Sequence, residues 1–270
     1  MAFNVEETTV VIKEFIKTYL KNSGLNKIVV GISGGIDSAV TAILVSESIG
    51  RKNVRFIFLP DDTTPKKDIQ HIDLLSEKFN FKIERKNITK IIDMISNNCI
   101  LKPDLYAIAN IKARTRMIIL FEYANMNNAL VCGTSNKSEI LVGYFTKYGD
   151  GGVDIMPIGD LYKTQVYDIA RFLKIPEEII NKKPTAGLIK DQCDEYELKI
   201  CYEKLDKILM GLEKKMNIEK ISKFADVQKS EIERIKKMRI LSQHKRRTPM
   251  IPKIGIRTVG LDWRNPNQLG

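Results

Sequence analysis

The stretch Lys27-Ile-Val-Val-Gly-Ile-Ser-Gly-Gly-Ile-Asp-Ser38 decides the fold of this chain. Its beginning, up to residue 32, is an almost continuous apolar run, which is typical of a strand buried on both faces. A Gly-rich turn follows at residues 33–38, and residues 39–49 continue as a helical stretch. The sequence therefore predicts a strand, a turn and a helix in direct succession.

The same succession recurs along the first part of the chain. Further strands are predicted at residues 54–59, 81–84 and 129–132, and they alternate with helices at 66–79, 88–96 and about 105–125. An amphipathic helix over residues 4–22, which ends near Gly24, precedes the first strand. Alternating strands and helices predict an α/β fold, a doubly wound parallel sheet with helices on both faces.

The rest of the chain has a different pattern. From Pro176 onward the sequence predicts helices around residues 195–212 and 227–240 and no strand before the Pro-containing tail. We interpret residues 1–270 as a single domain with a helical C-terminal portion packed on the sheet. Glycines crowd the stretch 143–164, which predicts a long loop of the kind that is usually functional.

Composition excludes several classes of protein. The chain has 270 residues, of which 43% are hydrophobic and 29% charged, as expected for a globular protein with a substantial core. It has no run of roughly 18 apolar residues and no signal-peptide pattern at its acidic start, which excludes membrane-spanning and secreted proteins. Cys99, Cys132, Cys193 and Cys201 have no CxxC spacing, so we expect free thiols, no zinc site and a cytoplasmic location. The net charge of +11 favours polyanionic ligands but does not distinguish nucleotides, nucleic acid and anionic lipid.

Residues 31–38 have the features of a phosphate-binding turn. Free backbone N–H groups and the helix dipole favour an anion where a strand ends and a helix begins. Gly34 and Gly35 allow close approach of the backbone, and Ser33 and Ser38 add hydroxyl donors. The turn matches neither the GxxxxGK[ST] phosphate loop nor the GxGxxG dinucleotide fingerprint. By itself it predicts an anion site and leaves the ligand open.

The turn resembles the SGGxDS loop of the N-type ATP pyrophosphatases, which hold the triphosphate of ATP while its α-phosphorus is attacked. The remaining motifs are similar to those of one family in that superfamily, the ammonia-dependent NAD synthetases, and they follow the order of that family. They are Asn110-Ile-Lys-Ala-Arg-Thr-Arg-Met117, Gly133-Thr-Ser-Asn-Lys-Ser-Glu139, Gly143-Tyr-Phe-Thr-Lys-Tyr-Gly-Asp-Gly-Gly-Val-Asp154, the stretch 157–165, Pro184-Thr-Ala-Gly-Leu188 and His244-Lys-Arg246. In one of them Gly187 stands where some members of the family have Asp.

The resemblance implies an adenine nucleotide alpha hydrolase-like fold and a two-step reaction. The carboxylate of deamido-NAD would attack the α-phosphorus of ATP and release pyrophosphate, and ammonia would then displace AMP from the NAD-adenylate. ATP is the implied co-substrate and Mg²⁺ the implied metal. The family is homodimeric, with the deamido-NAD site completed across the interface. We expect free ammonia as the nitrogen source, without an amidase domain, and neither nucleic acid nor a membrane as a partner.

The same resemblance implies roles for individual residues. Asp37 and Glu139 match the Mg²⁺ ligands, and Lys163 joins them in the predicted catalytic set because a compact cation suits phosphate. The matching ATP-binding positions are Gly31, Ile32, Ser33, Gly34, Gly35, Ile36, Asp37, Ser38, Thr134, Lys163 and Thr185. The matching deamido-NAD positions are Arg114, Lys147, Asp154, His244 and Lys245. Arg116 receives no role, because on a helix it points roughly 200° away from Arg114.

Two other functions are compatible with parts of the sequence. Another adenylating enzyme of the superfamily, such as a tRNA-thiolating enzyme, would also account for the charge of +11, although no catalytic cysteine pair or tRNA-binding extension is evident. A non-enzymatic protein that binds nucleotides or nucleic acid would use the basic segment His244-Lys-Arg-Arg247 and show a steep dependence on salt. Turnover of ATP distinguishes this last possibility from the enzymes.

Overall fold

A four-stranded parallel sheet lies at the centre of the computed structural model, which describes residues 3–189 and 192–259. Its strands are β1 (Lys27–Gly31), β2 (Val54–Phe58), β3 (Ile83–Arg85) and β4 (Ala129–Cys132). Their spatial order is β3-β2-β1-β4, and each neighbouring pair is parallel. The predicted parallel sheet is therefore confirmed.

Helices cover both faces of this sheet. Within the described residues they are α1 (Val5–Asn22), α2 (Ile36–Ile49), α3 (Lys66–Phe79), α4 (Thr89–Asn97), α5 (Leu105–Asn127), α6 (Lys137–Val142), α7 (Lys163–Phe172), α8 (Glu177–Ile180), α9 (Asp194–Leu198), α10 (Tyr202–Glu213), α11 (Ile218–Ala225), α12 (Lys229–Leu241) and α13 (Gln243–Arg246). Helices α1, α2, α3 and α7 pack on one face, and α4 and α5 pack on the other. None of these described helices combines the length and apolar character needed to cross a membrane.

The apolar run of β1 supplies both layers of the core. Ile28 and Val30 are fully buried with the helices of one face, whereas Val29 is fully buried with those of the other. Alternate side chains of a strand point to opposite faces, so a strand covered on both sides must be apolar throughout. This requirement explains why β1 is readable from the sequence.

Local signals also define the first helix. The side chain of Asn4 accepts a hydrogen bond from the backbone N–H of Glu7 at 3.2 Å and caps the start of α1. Gly24, with φ of 73°, follows the end of the helix in the left-handed region, as predicted for a C-terminal cap. The next helix, α2, begins at Ile36 and so includes part of the predicted turn.

The C-terminal helices form a second apolar cluster, in which Leu205, Ile208 and Ile232 are fully buried. This cluster packs mainly against α6 and α7, whereas the sequence predicts packing on the sheet itself. The single helix predicted around residues 195–212 is in fact two helices, α9 and α10. Lys199 adopts φ of 56° and interrupts the helical path between them.

The order of the strands determines where a ligand can bind. The chain passes from β1 to β2 and β3 on one side, and it returns to β4 on the other side of β1. In an open parallel sheet, the loops at such a reversal diverge at the carboxyl ends of the strands and leave a crevice for a ligand. The turn 33–38, which runs into α2, lies just after β1, and residues 133–136 follow β4. We define the Gly-rich loop as residues 143–162, which join α6 to α7 nearby.

Candidate active site

A cavity of about 250 Å³ lies at the carboxyl ends of β1 and β4. It is lined by the ends of these strands, by α5, by the Gly-rich loop, by Lys182 and by residues 185–188. Among the positions predicted to bind ATP, the lining contains Gly31, Ile32, Ser33, Gly35, Asp37, Ser38, Thr134, Lys163 and Thr185. Gly34 and Ile36 lie outside it, and Ile36 belongs to the core. Motifs that are distant in sequence therefore share one cavity.

The turn after β1 is held in one conformation by its neighbours. Gly34 has φ of 78°, and a Cβ at this position would lie 2.7 Å from the carbonyl oxygen of Asp68. Its own carbonyl oxygen accepts a hydrogen bond from Nδ1 of the buried His71 at 3.0 Å. Ser38 Oγ accepts a hydrogen bond from the backbone N–H of Ser33 at 3.2 Å. Only glycine suits this left-handed conformation next to a neighbouring backbone.

Asp37, Glu139 and Lys163 meet on one side of the cavity. Lys163 Nζ contacts Asp37 Oδ2 and lies 3.4 Å from Glu139 Oε1. The buried Asn136 connects the two carboxylates: its Nδ2 donates to Asp37 Oδ1 at 2.9 Å, and its backbone N–H donates to Glu139 Oε2 at 3.3 Å. Sequence reasoning missed Asn136. The Asn-x-x-Glu capping box at the start of α6 is the signal that would have identified it.

The protonation of this cluster follows from burial and charge. Burial, together with the charge of Asp37, raises the pKa of Glu139 to about 8, although Lys163 acts in the opposite direction. Burial lowers the pKa of Lys163, but the charges of Asp37 and Glu139 outweigh this effect and hold it well above its ordinary value. Lys163 is therefore a permanent cation, whereas Glu139 exchanges a proton near neutral pH.

The cavity lining carries excess negative charge. Its carboxylates are Asp37, Asp68, Glu139, Asp150 and Asp194, and its cations are Arg116, Lys163 and Lys182. Within residues 3–189 and 192–259, no cluster of three or more His, Cys, Asp and Glu side chains could hold a metal ion by itself. Mg²⁺ is usually held by one or two carboxylates together with phosphate oxygens. The pair Asp37 and Glu139, beside the turn that the sequence predicts to bind phosphate, has the donor atoms and charge for that arrangement.

Residues 185–188 form another wall of the cavity. Thr185 Oγ1 accepts a hydrogen bond from the backbone N–H of Gly187 at 3.0 Å. Asp194, which is 3% exposed, accepts one from the backbone N–H of Ala186 at 2.9 Å and so ties this segment to α9. Burial raises the pKa of Asp194. No motif in the sequence identified Asp194 as part of the site.

Arg116, and not Arg114, reaches the cavity. Its Nε donates to the carbonyl oxygen of Leu59 at 3.0 Å, and its Nη2 donates to Asp61 Oδ2 at 3.0 Å. Asp61 is buried and also pairs with Lys112 Nζ at 3.2 Å. Although burial raises the pKa of Asp61, its hydrogen bonds and these two cations lower it overall. The guanidinium is therefore held firmly beside the ligand space.

The positions predicted for deamido-NAD lie outside the cavity lining, mostly around the Gly-rich loop. Arg114 is exposed, and its Nε donates to the carbonyl oxygen of Lys147 at 3.3 Å. Lys245 Nζ donates to two carbonyl oxygens of the same loop, at 2.7 Å and 2.8 Å. Asp154 Oδ2 instead accepts a hydrogen bond from a backbone N–H of β4 at 2.7 Å, and His244 is exposed.

Comparison with known proteins gives consistent matches. The sequence model of the NAD synthase family matches residues 8–249. The NH(3)-dependent NAD(+) synthetase of Thermoplasma volcanium is 43% identical over 238 residues, which cover 88% of this chain and 93% of that protein. The solved NMN synthetase of Francisella tularensis superposes with a TM-score of 0.83 at 31% identity and covers 93% of this chain and 100% of its own. The NH3-dependent NAD synthetase of Campylobacter jejuni has the same identity and coverage, with a TM-score of 0.79.

Proposed function

This chain belongs to the NAD synthase family, and we propose that it amidates deamido-NAD with ammonia at the expense of ATP, giving NAD, AMP and pyrophosphate. The match over residues 8–249 carries the proposal. The meeting of Asp37, Glu139 and Lys163 beside the turn 33–38 supports it. A tRNA-thiolating activity is not favoured, because relatives that match most of the chain are NAD synthetases.

The first step needs an anchored triphosphate. A carboxylate oxygen of deamido-NAD bonds to the α-phosphorus of ATP, the bond from that phosphorus to the bridging oxygen breaks, and pyrophosphate leaves. Backbone N–H groups of the turn 33–38 hold phosphate oxygens, and Lys163 places a permanent positive charge beside the leaving group. An ionised carboxylate is already a nucleophile, so positioning and charge stabilisation carry this step without a general base.

The second step converts the adenylate to the amide. The nitrogen of ammonia bonds to the acyl carbon, the carbon–oxygen bond to AMP breaks, and AMP leaves with the electron pair while a proton passes to solvent. We take free ammonia as the nitrogen source and residues 1–270 as one synthetase domain, as the similarity to NH(3)-dependent relatives suggests. The net charge of +11 would attract the three polyanions of the reaction to the protein.

Asp37 and Glu139 would hold Mg²⁺ in this scheme. Two oxygen donors and the negative excess of the cavity lining support the assignment. When bound, the ion would neutralise charge that develops on pyrophosphate. Lys163, which contacts both carboxylates, would supply a second positive charge beside this site.

We further propose that the enzyme is a cytoplasmic homodimer. Cys99, Cys132, Cys193 and Cys201 are free thiols, which suits a reducing compartment. Exposed apolar side chains cluster at the start of α5 and in the segment before it, at Ile100, Leu101, Leu105 and Tyr106. Such a patch is typical of an interface between protein chains. Sedimentation velocity at micromolar concentration tests the dimer, and a monomer throughout would contradict it.

The deciding experiment incubates the purified protein with Mg-ATP and deamido-NAD, adds ammonium or glutamine separately, and quantifies NAD, AMP and pyrophosphate. We expect equal amounts of the three products with ammonium alone. AMP and pyrophosphate without NAD would contradict the assignment of ammonia as the nitrogen source. No turnover of ATP would contradict the assignment of the protein as an enzyme. A parallel reaction with nicotinate mononucleotide tests the activity named for the Francisella tularensis protein. If the mononucleotide is amidated faster than deamido-NAD, the mononucleotide is the preferred substrate.

Substitutions test the metal ligands. Asp37→Asn and Glu139→Gln should each lower pyrophosphate release by roughly 100-fold or more, because a charge-stabilising ligand is lost while the shape of the side chain is kept. Glu203→Gln makes the same chemical change at an exposed position of α10 and serves as the matched control. Nearly normal pyrophosphate release by either site variant would contradict the assignment.

A further inference from the structure

Asp206 is a buried carboxylate of α10 that lies next to the candidate active site without lining its cavity. Only 1% of its surface is exposed. Its Oδ1 accepts a hydrogen bond from Ser138 Oγ at 2.5 Å, and its Oδ2 accepts one from the backbone N–H of Thr164 at 2.9 Å. Ser138 Oγ in turn accepts a hydrogen bond from the backbone N–H of Lys163 at 2.9 Å. One carboxylate thus connects α10, α6 and α7.

This network satisfies the first two N–H groups of α7. The first N–H groups of a helix have no partner within the helix itself. Here the N–H groups of Lys163 and Thr164 bond to side chains of two other helices, namely Ser138 of α6 and Asp206 of α10. A negative charge at this end of the helix is also favoured by the helix dipole. Tertiary contacts therefore hold the start of α7.

The cost of burying Asp206 indicates that its contacts matter. Removing a carboxylate from water costs free energy unless hydrogen bonds compensate the lost hydration. An apolar side chain at this position would pack the same helices together without that cost. Burial raises the pKa of Asp206, while its hydrogen bonds from Ser138 and Thr164 oppose that shift. A fully bonded acid at this position gives the junction a defined geometry.

Asp206 bonds to the sequence neighbours of two members of the cluster formed by Asp37, Glu139 and Lys163. Ser138 directly precedes Glu139, and Thr164 directly follows Lys163, the first residue of α7. We propose that Asp206 is a positioning residue, which acts through Ser138 and the start of α7 to place Lys163 Nζ against Asp37 and Glu139. Its kinetic consequence rests on the function proposed above, whereas its effect on ATP binding does not depend on turnover.

The test compares Asp206→Asn, Ser138→Ala and the double variant with the wild type and with Glu203→Gln. Calorimetry gives the dissociation constants of Mg-ATP and of deamido-NAD, and steady-state kinetics give kcat. We expect Asp206→Asn to weaken ATP binding about 10-fold and to lower kcat roughly 10- to 100-fold, because small misplacements of a catalytic group are costly. Deamido-NAD should bind within about two-fold of the wild type, because its expected ligands lie elsewhere.

Coupling between the two residues is the second expected result. Ser138→Ala should reproduce the effect of Asp206→Asn, and the double variant should lose no more than either single variant, since both substitutions break one pathway. Additive losses, equal weakening of both ligands, or wild-type ATP affinity in the folded variants would overturn the proposal. If wild-type protein makes no NAD, the proposed function fails, and the ATP affinities still decide the role of Asp206.

Discussion

Replacing Lys163 by Met removes the cation that separates Asp37 from Glu139. The Lys163 side chain is 3% exposed, and the carboxylates are 18% and 15% exposed, so water screens their repulsion only in part. Met retains an unbranched apolar stem, so the main change is the loss of charge. Removing one partner of a buried ion pair costs about 3–5 kcal/mol, and the partial exposure places this case near ~3 kcal/mol at pH 9 in metal-free buffer.

The destabilisation depends on pH through Glu139. Its pKa of about 8 lies above its ordinary value of 4.5, so its protonated form adds stability at low pH that is lost as pH rises through about 8. In Lys163→Met the pKa of Glu139 rises further, because the cation that lowers it is absent. The free energy of unfolding of the variant therefore continues to fall by about 1.4 kcal/mol per pH unit above pH 8, whereas that of the wild type no longer falls through Glu139. The difference in free energy of unfolding between the wild type and Lys163→Met should be about 1 kcal/mol larger at pH 9 than at pH 7.

Urea denaturation with EDTA at pH 7 and pH 9 measures this difference. The double variant Lys163→Met/Glu139→Gln is the control, because it keeps the apolar replacement and removes one of the two acids that lose their cation. We expect the double variant to be more stable than the single variant at pH 9, with unchanged m-values. An equal deficit of Lys163→Met at both pH values, or no recovery in the double variant, would refute the electrostatic reasoning.

Gly34→Ala should lower the free energy of unfolding by about 1–2 kcal/mol and weaken ATP binding, because φ of 78° is strained for alanine and its Cβ would lie 2.7 Å from the carbonyl oxygen of Asp68; thermal melts with and without ATP check both effects. Arg116→Lys keeps the charge but loses the two-point contact with Asp61 and the carbonyl oxygen of Leu59, so we expect a loss of about 1–2 kcal/mol in urea titrations, and full stability would contradict that contact. Lys245→Met should raise the KM of deamido-NAD about 10-fold and leave the KM of ATP unchanged in steady-state assays; a selective effect on ATP would move this residue to the other subsite.

Much of the fold could be predicted because its signals are local. The helix predicted at 66–79 and the strand predicted at 129–132 coincide with α3 and β4. An apolar run that ends in a Gly-rich turn contains its own structural information, as do the capping residues of α1. The positions predicted to bind ATP are likewise contiguous or carried by motifs, and most of them line one cavity.

Other elements depend on partners that the local sequence does not contain. The N–H groups of Lys163 and Thr164 bond to Ser138 and Asp206, which belong to other helices, whereas the local capping contact is that of Gln165, whose side chain accepts a hydrogen bond from the backbone N–H of Tyr162 at 2.9 Å. Arg116 received no predicted role because, on a helix, it points roughly 200° away from Arg114. Yet Ala113, Arg116, Met117 and Leu120 all line the cavity at helical spacing, and that periodicity could have indicated the inward face of α5.

The class of the fold, the family and the prediction of a phosphate-binding turn come from the amino-acid sequence alone, because strand, helix and motif patterns depend on a few neighbouring residues. Which charges meet depends on tertiary packing. Lys163 contacts Asp37 across 126 residues and Glu139 across 24, and Asp206 reaches Ser138 across 68. Those distances are set by the order of the strands and the packing of α6, α7 and α10, and burial then shifts the pKa of Glu139. Such couplings depend on spacing in three dimensions, which no local pattern specifies.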